Sequence, residues 1–288
     1  MNKQIVLVLL TIVVMLYGCA TDQMVTEYAD STVQIVPTVS IPTEYAEDLE
    51  LEDLQEELYR SVIAGDIEAT QMALQMGADP NRLASDSTRT LLIIAIIQNE
   101  PELVSALLAS GADVHAKDLE YYDPPIIWAA DLAGPEIITL LLEAGADIAS
   151  TDDTMGGTVL MWAAARNTAE VVSILLAYGA DLTVRDTRDI GGEVITWAAK
   201  EGDPQVIKLL LEAGADLESR DLHFESTPLM WAALQNTVEA VTVLIEAGAD
   251  LSATDFFFSQ TALELAEEEG REEIVQLLQN AEAQGTLD

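Results

Sequence analysis

Apolar residues recur along this chain in sets of four. Leu103, Val104, Leu107 and Leu108 form one set and Ile137, Ile138, Leu141 and Leu142 the next. Positions i, i+1, i+4 and i+5 share one face of a helix, so each set predicts a helix with a single buried side. A Gly-Ala-Asp triplet follows each set, at Gly77, Gly111, Gly145, Gly179, Gly214 and Gly248, with spacings of 34, 34, 34, 35 and 34 residues. A glycine there can adopt the left-handed conformation that ends a helix. Upstream lies a shorter predicted helix built on alanine pairs, Ala129-Ala130, Ala163-Ala164, Ala198-Ala199 and Ala232-Ala233. Small side chains at those positions let neighbouring helices approach closely. Asn99, Asn167, Gly202, Asn236 and Gly270 close this second helix. Asn and Gly are the residue types that tolerate positive φ most easily. Where Ala133-Gly134 replaces them, the turn is expected to move by a residue.

Units of this length cannot bury an apolar face alone and stabilise one another by stacking. The period by itself fits more than one helical-repeat family; the loops discriminate. The run Thr227-Pro228-Leu229-Met230-Trp231-Ala232-Ala233, then Val238-Glu239-Ala240-Val241, then Leu244-Ile245-Glu246-Ala247-Gly248-Ala249-Asp250 resembles the ankyrin repeat in order and spacing. Seven residues past the triplet glycine come Asp118, Asp152, Asp186, Asp221 or Asp255, matching the family's hairpin aspartate; the first loop has Ala84 instead. The family's Thr-Pro-Leu-His signature is complete nowhere, which puts the hydrogen bonding at the helix starts in question. Each hairpin also exceeds the usual ankyrin one by a residue or two, as fingertips enlarged for contact would. The resemblance implies an all-α ankyrin-repeat solenoid over residues 50–281, of about seven helix-turn-helix units with β-hairpin loops, followed by a tail at 282–288. The last unit reads as a cap, because Glu267 stands where internal units place the second alanine and is followed by Glu268 and Glu269, so its outer side can face water.

The N terminus carries a different signal. Lys3 precedes a run from Ile5 to Leu16 that is apolar except for Thr11 and ends in Leu16-Tyr17-Gly18-Cys19. A dozen or so apolar residues are too few to span a bilayer comfortably and read as a signal-peptide core. The closing four residues resemble the bacterial lipobox, with Tyr17 where the family prefers a smaller residue. That resemblance implies a leader at 1–18, acylation of Cys19 and a domain held at a membrane outside the cytoplasm. Ala20 in place of aspartate leans toward the outer membrane. Residues 19–49 show no helical stripe and read as a flexible tether, reaching on the order of 100 Å extended and nearer 30 Å as a coil. Within it, Val33-Gln34-Ile35-Val36 has strand character but no evident partner.

Charge limits the partners. Fifty-one acidic residues against 12 basic ones give a net charge of −39, which repels nucleic acid and anionic headgroups. Such acidity also keeps a repeat protein soluble without any basic partner. Cys19 is the sole cysteine, so no disulfide supports the fold. Catalytic constellations are missing: His115 and His223 lie about three units apart, and no phosphate loop, zinc spacing or nucleophile elbow occurs. No cofactor or metal is expected.

Aromatic residues are the remaining signal. All four tryptophans, Trp128, Trp162, Trp197 and Trp231, occupy one repeat position. Trp231 lies about 200° around the helix from Leu229, which predicts an indole row along the inner helices with neighbours about 8 to 10 Å apart. Such a row either lines a binding groove or wedges between repeats. In the hairpins, Tyr121, Met155, Asp189, Phe224 and Phe258 fall three residues past each aspartate, beside Tyr122, Phe256 and Phe257. Aromatics on loop edges mark contact surfaces, unless each ring folds back on its neighbour. The expected activity is non-enzymatic protein binding through Trp128, Trp162, Trp197, Trp231, Tyr121, Tyr122, Phe224 and Phe258. The partner is another protein, and the membrane is reached through Cys19. The alternative is an immunity or inhibitor protein that masks a basic exported toxin or enzyme, and an enzyme acting through acidic pairs ranks last.

Overall fold

The computed structural model describes residues 23–29, 32–38, 43–83, 87–166 and 168–285, with side-chain surroundings from Leu51 onward. Cys19, Ala84 and Asn167 lie outside the described residues. The chain divides into two units, Met1–Leu54 and Gln55–Asp288.

In the first unit, β1 (Gln23–Ala29) pairs antiparallel with β2 (Thr32–Thr38), placing Val25 opposite Val36 and Tyr28 opposite Val33. The strand at Val33–Val36 therefore has a partner, contrary to the sequence reading. Only two residues separate the strands, the spacing of a tight hairpin. Helix α1 (Thr43–Ala64) starts seven residues before the expected domain boundary.

The second unit is built of helix pairs. They are residues 55–64 of α1 with α2 (Ile67–Gln75), α3 (Leu91–Ile97) with α4 (Pro101–Ala109), α5 (Pro125–Leu132) with α6 (Pro135–Glu143), and α7 (Val159–Arg166) with α8 (Ala169–Ala177). Next come α9 (Val194–Glu201) with α10 (Pro204–Glu212), α11 (Pro228–Gln235) with α12 (Val238–Glu246), and α13 (Ala262–Glu268) with α14 (Glu272–Gly285). The inner helices α3, α5, α7, α9, α11 and α13 each pack on the next, as do the outer helices α2 through α14. The predicted faces are the buried ones. Leu103, Val104 and Leu107, like Ile137, Ile138 and Leu141, are wholly enclosed, while the fourth members Leu108 and Leu142 are half-buried at the layer's edge. The inner alanine pairs are enclosed completely, so the inner helices meet nearly backbone to backbone.

Each residue of the Gly-Ala-Asp triplet has its own task. The six glycines have φ between 89° and 102°. In α4, Gly111 N donates to Leu108 O and Ala112 N to Leu107 O, the paired bonds of a Schellman ending. The aspartate then closes the following turn: Asp113 Oδ1 accepts from His115 N at 2.9 Å, and Asp79, Asp147, Asp181, Asp216 and Asp250 do the same.

Helix starts need no complete Thr-Pro-Leu-His. Thr90, Thr158, Thr227 and Thr261 each accept from the backbone N–H three residues on. Helices α5 and α9 begin at Pro124 and Glu193 with no side-chain cap.

The inner-helix endings correct the sequence reading. Asn99 and Gly270 do adopt positive φ, but Gly202 has φ −77° and Asn236 φ −100°. Gly202 is required for space, since a Cβ would stand 2.4 Å from Ala164 O. Asn236 is buried and sends Nδ2 to Ala198 O, Ala199 O and Gly202 O at 3.2, 3.0 and 3.1 Å, capping the preceding inner helix. Asn236→Ala should therefore cost about 2–3 kcal/mol by orphaning buried carbonyls, read as a lowered urea midpoint. A loss of only about 0.5 kcal/mol would leave the residue without a capping role.

Candidate functional site

The loops between units rest on the hairpin aspartates. Asp152 is buried and collects five hydrogen bonds: Oδ1 accepts from Thr154 N, Thr154 Oγ1 and Met155 N at 2.8, 2.6 and 2.6 Å, and Oδ2 from Gly157 N and Trp162 Nε1 at 2.7 and 2.9 Å. Each tryptophan makes the same contact with the aspartate of its own unit. Trp128 Nε1 reaches Asp118 Oδ2 at 3.0 Å, Trp197 reaches Asp186 at 3.1 Å and Trp231 reaches Asp221 at 3.0 Å. The inner helix is thus clasped to the base of the loop that precedes it. Asp255, with Leu265 at the tryptophan position, holds only its loop, through Phe258 N and Gln260 N.

At the loop base a main-chain bond closes each hairpin: Asp118 N to Asp123 O, Asp152 N to Gly157 O, Asp186 N to Gly192 O, Asp221 N to Ser226 O and Asp255 N to Gln260 O, with a second, Val159 N to Ser150 O, in the Asp152 loop. A β-bridge forms in one of them, Thr151 with Thr158, so these are hairpin-shaped loops rather than extended ladders. Adjacent loops are tied by Leu119 N to Thr88 O, Arg188 N to Met155 O, Leu222 N to Ile190 O and Phe256 N to Phe224 O.

The carboxylates respond to this environment. Burial would raise the Asp152 carboxyl, yet the bonds from Thr154, Met155, Trp162 and Gly157 outweigh it and hold it below the ordinary value. Asp118 is likewise lowered, burial being outweighed by Tyr121 N, Trp128 Nε1, Asp123 N and Glu120 N. Asp123 is the exception. Burial, with the charges of Asp152 and Asp118 nearby, pushes it up to about 6 against the pull of Asp153 N, which donates to Oδ1 at 2.9 Å.

The tryptophans are not an open row. Trp197 and Trp231 are 6% and 8% exposed, whereas Trp128 and Trp162 are half-buried. The Trp197 ring lies against Gly157, where a Cβ would stand 2.7 Å from it. Trp162 and Trp197 meet edge to face at 5.5 Å, nearer than the helix spacing predicts. Trp128 meets Tyr121 at 5.8 Å and Arg89 at 4.8 Å, while Trp231 meets Phe224 at 5.9 Å and Lys200 at 5.2 Å.

Matches with known proteins agree with this architecture. A family profile described as "Ankyrin repeats (3 copies)" matches residues 118–186 and 195–287, and one described as "Ankyrin repeat" matches 88–119. The chain belongs to the ankyrin repeat family. Among solved structures, the ankyrin repeat domain of human ASB11 superposes with a TM-score of 0.66 at 24% identity, covering 78% of this chain and 96% of that one. The ankyrin repeat domain of Bcl-3, described as a unique member of the IkappaB family, gives 0.62 at 24% identity, covering 77% and 97%. No functionally curated protein matches the sequence. Ankyrin repeats mark the chain as a protein–protein interaction module.

On this ankyrin scaffold the loop tips carry the accessible aromatics. Tyr121, Tyr122, Phe224, Phe256, Phe257 and Phe258 are all exposed, the last by 77%, with Leu119, Leu222 and Met155 beside them. The structure keeps the loop residues of the expected site at the surface and places two of its tryptophans in the packing. Sequence reasoning missed the bond that links aspartate to tryptophan. Its trace is a spacing of 10, 10, 11 and 10 residues from Asp118, Asp152, Asp186 and Asp221 to the next tryptophan, while the first loop, with Ala84 and Ile94, lacks both. Among the described residues, no group of three or more His, Cys, Asp and Glu is placed to hold a metal, and no helix is long and apolar enough to cross a membrane.

Proposed function

We propose that the chain is a lipid-anchored protein of the bacterial cell envelope whose ankyrin domain binds another protein through the aromatic ridge of its loop tips. The observation that carries this reading is the exposure of Tyr121, Tyr122, Phe224 and Phe258 on loops whose bases are fixed by buried aspartates. Large rings held in place by a rigid base lose little entropy when a partner covers them, as binding hot spots require. Trp128 and Trp162, half-buried behind the tips, complete the wall; Trp197 and Trp231 support it from within. The anchor rests on the apolar leader and Cys19, and the immunity or inhibitor alternative rests on the net charge of −39.

Two measurements test the reading. Fatty-acid labelling in cells should mark the wild-type protein and not Cys19→Ser; an unlabelled wild type would remove the anchor. Affinity capture from envelope extract should retain a specific protein that is lost when Tyr121, Tyr122 and Phe258 are changed to Ser, with the urea midpoint unchanged. Capture indifferent to those changes would remove the ridge from the site, and a retained toxin or enzyme silenced by binding would select the inhibitor reading.

A further inference from the structure

We propose that the C-terminal end of the ridge, where Phe256, Phe257 and Phe258 stand between Glu225 and Glu268, docks a protein segment in which arginine or lysine alternates with aliphatic side chains. This rests on the loop-tip reading above and assigns its chemistry.

The rings form one connected surface. Phe224 meets Phe257 at 6.0 Å, Phe257 meets Phe256 at 5.4 Å and Phe258 at 6.5 Å, in tilted or edge-on geometries. Phe256, Phe257 and Phe258 are each more than half exposed, and Leu222 extends the patch at 66%. The patch is fastened from below: Phe256 N donates to Phe224 O, Asp255 anchors Phe258 N, and Phe224 leans on Trp231. Its apolar area therefore persists without a partner to fold around it.

The charge around it is mainly acidic, the exception being Arg220, whose Nη1 donates to Glu225 O and Thr254 O at 2.6 and 2.9 Å. From Asp250 to Gly285 the sequence holds nine acidic residues against Arg271. Gln260 Nε2 donates to Glu268 Oε2 at 2.8 Å, which places the acidic end of α13 beside the loop, and exposed Glu225 follows Phe224 directly. The middle of the stack differs. There Arg185, Arg188 and Lys200 already pair with Glu193, Asp153 and Asp189. Ring faces carry negative electrostatic potential and attract cations, more strongly when carboxylates flank them. Aliphatic side chains between those cations would cover the ring edges that water now touches. A partner purely cationic would leave the rings wet, and one purely apolar would leave the carboxylates facing it unpaired.

The test uses the full-length protein and three labelled peptides, alternating Arg-Leu, Arg-Ser and Glu-Leu, with dissociation constants from fluorescence anisotropy at about 150 mM salt. Arg-Leu should bind, with Arg-Ser and Glu-Leu at least about tenfold weaker. Changing Phe256, Phe257 and Phe258 together to Ser should weaken Arg-Leu binding about tenfold or more while the urea midpoint holds. Glu225→Gln with Glu268→Gln should weaken it several-fold. Glu102→Gln with Glu143→Gln, which removes the same charge from outer helices, should change nothing. Equal binding of Arg-Leu and Arg-Ser, an equal loss from the outer pair, or no binding of Arg-Leu would each overturn the proposal. Such a failure alongside ridge-dependent capture from envelope extract removes only the assigned chemistry, whereas capture that ignores the ridge removes the loop-tip reading itself.

Discussion

Asp152→Ala should lower the stability of the repeat domain by about 3–5 kcal/mol, the cost of stripping a buried carboxylate from several donors at once. Thr154 N, Met155 N, Gly157 N and the Trp162 indole would lose their common acceptor in a loop then closed only by the main-chain bonds from Asp152 N to Gly157 O and from Val159 N to Ser150 O. Summing a full penalty for every orphaned donor would overstate the loss, because a loop released at its base can turn toward water. Trp162→Phe keeps most of the ring and loses one hydrogen bond, so about 1–2 kcal/mol is expected. The double variant should fall short of the sum, since both changes delete the same bond. Urea midpoints of the three variants check this. If Asp152→Ala shifts stability by about 0.5 kcal/mol or less, the clasp between loop and inner helix stabilises nothing.

The second large effect has the opposite sign. Asp123→Asn should stabilise the protein by about 2–3 kcal/mol near pH 7.5, with the gain disappearing toward about pH 4. The folded Asp123 carboxyl is raised to about 6 from an ordinary 3.8. Between those values the folded chain holds more protons than the unfolded one, so stability falls as the pH climbs. The penalty is complete above about pH 6 and absent below about 4. Asparagine keeps an oxygen for Asp153 N and adds an amide able to donate toward the neighbouring carboxylates. Asp118 and Asp152, held below the ordinary value, act in the other direction: their stabilisation is present above it and lost as the pH falls through their folded values. Comparing wild type with Asp123→Asn at each pH cancels that shared background. A difference that does not vary with pH would mean that Asp123 carries no such penalty.

The helix pairs, the glycine turns and the alanine contacts were legible because each depends on spacing within a few residues. Leu103, Val104 and Leu107 announce their burial by period alone. The tryptophans show where that logic stops. A helical wheel places Trp231 away from the stripe that meets neighbouring helices, yet the base of its own loop arrives over that face and Asp221 receives the indole. A wheel contains one helix and no loop. Asn236 and Gly202 show the same limit: their residue types suggested left-handed turns, but one was needed for hydrogen bonds to the previous repeat and the other for close approach to Ala164. The exposed tips were readable from their place in otherwise polar loops. The raised Asp123 was not, because its environment comes from two consecutive loops.

The loop at Asp186 holds one residue more than its neighbours, closing on Gly192 rather than five residues on, and Trp197 nonetheless finds its aspartate. Length added beyond the base leaves the helices in register. Mutation and selection therefore have a place to work in which insertions and new side chains alter what is recognised without reopening the question of whether the protein folds. In a lineage built by duplicating such units, the tips can diverge at the pace set by a changing partner while the clasped bases stay as they were.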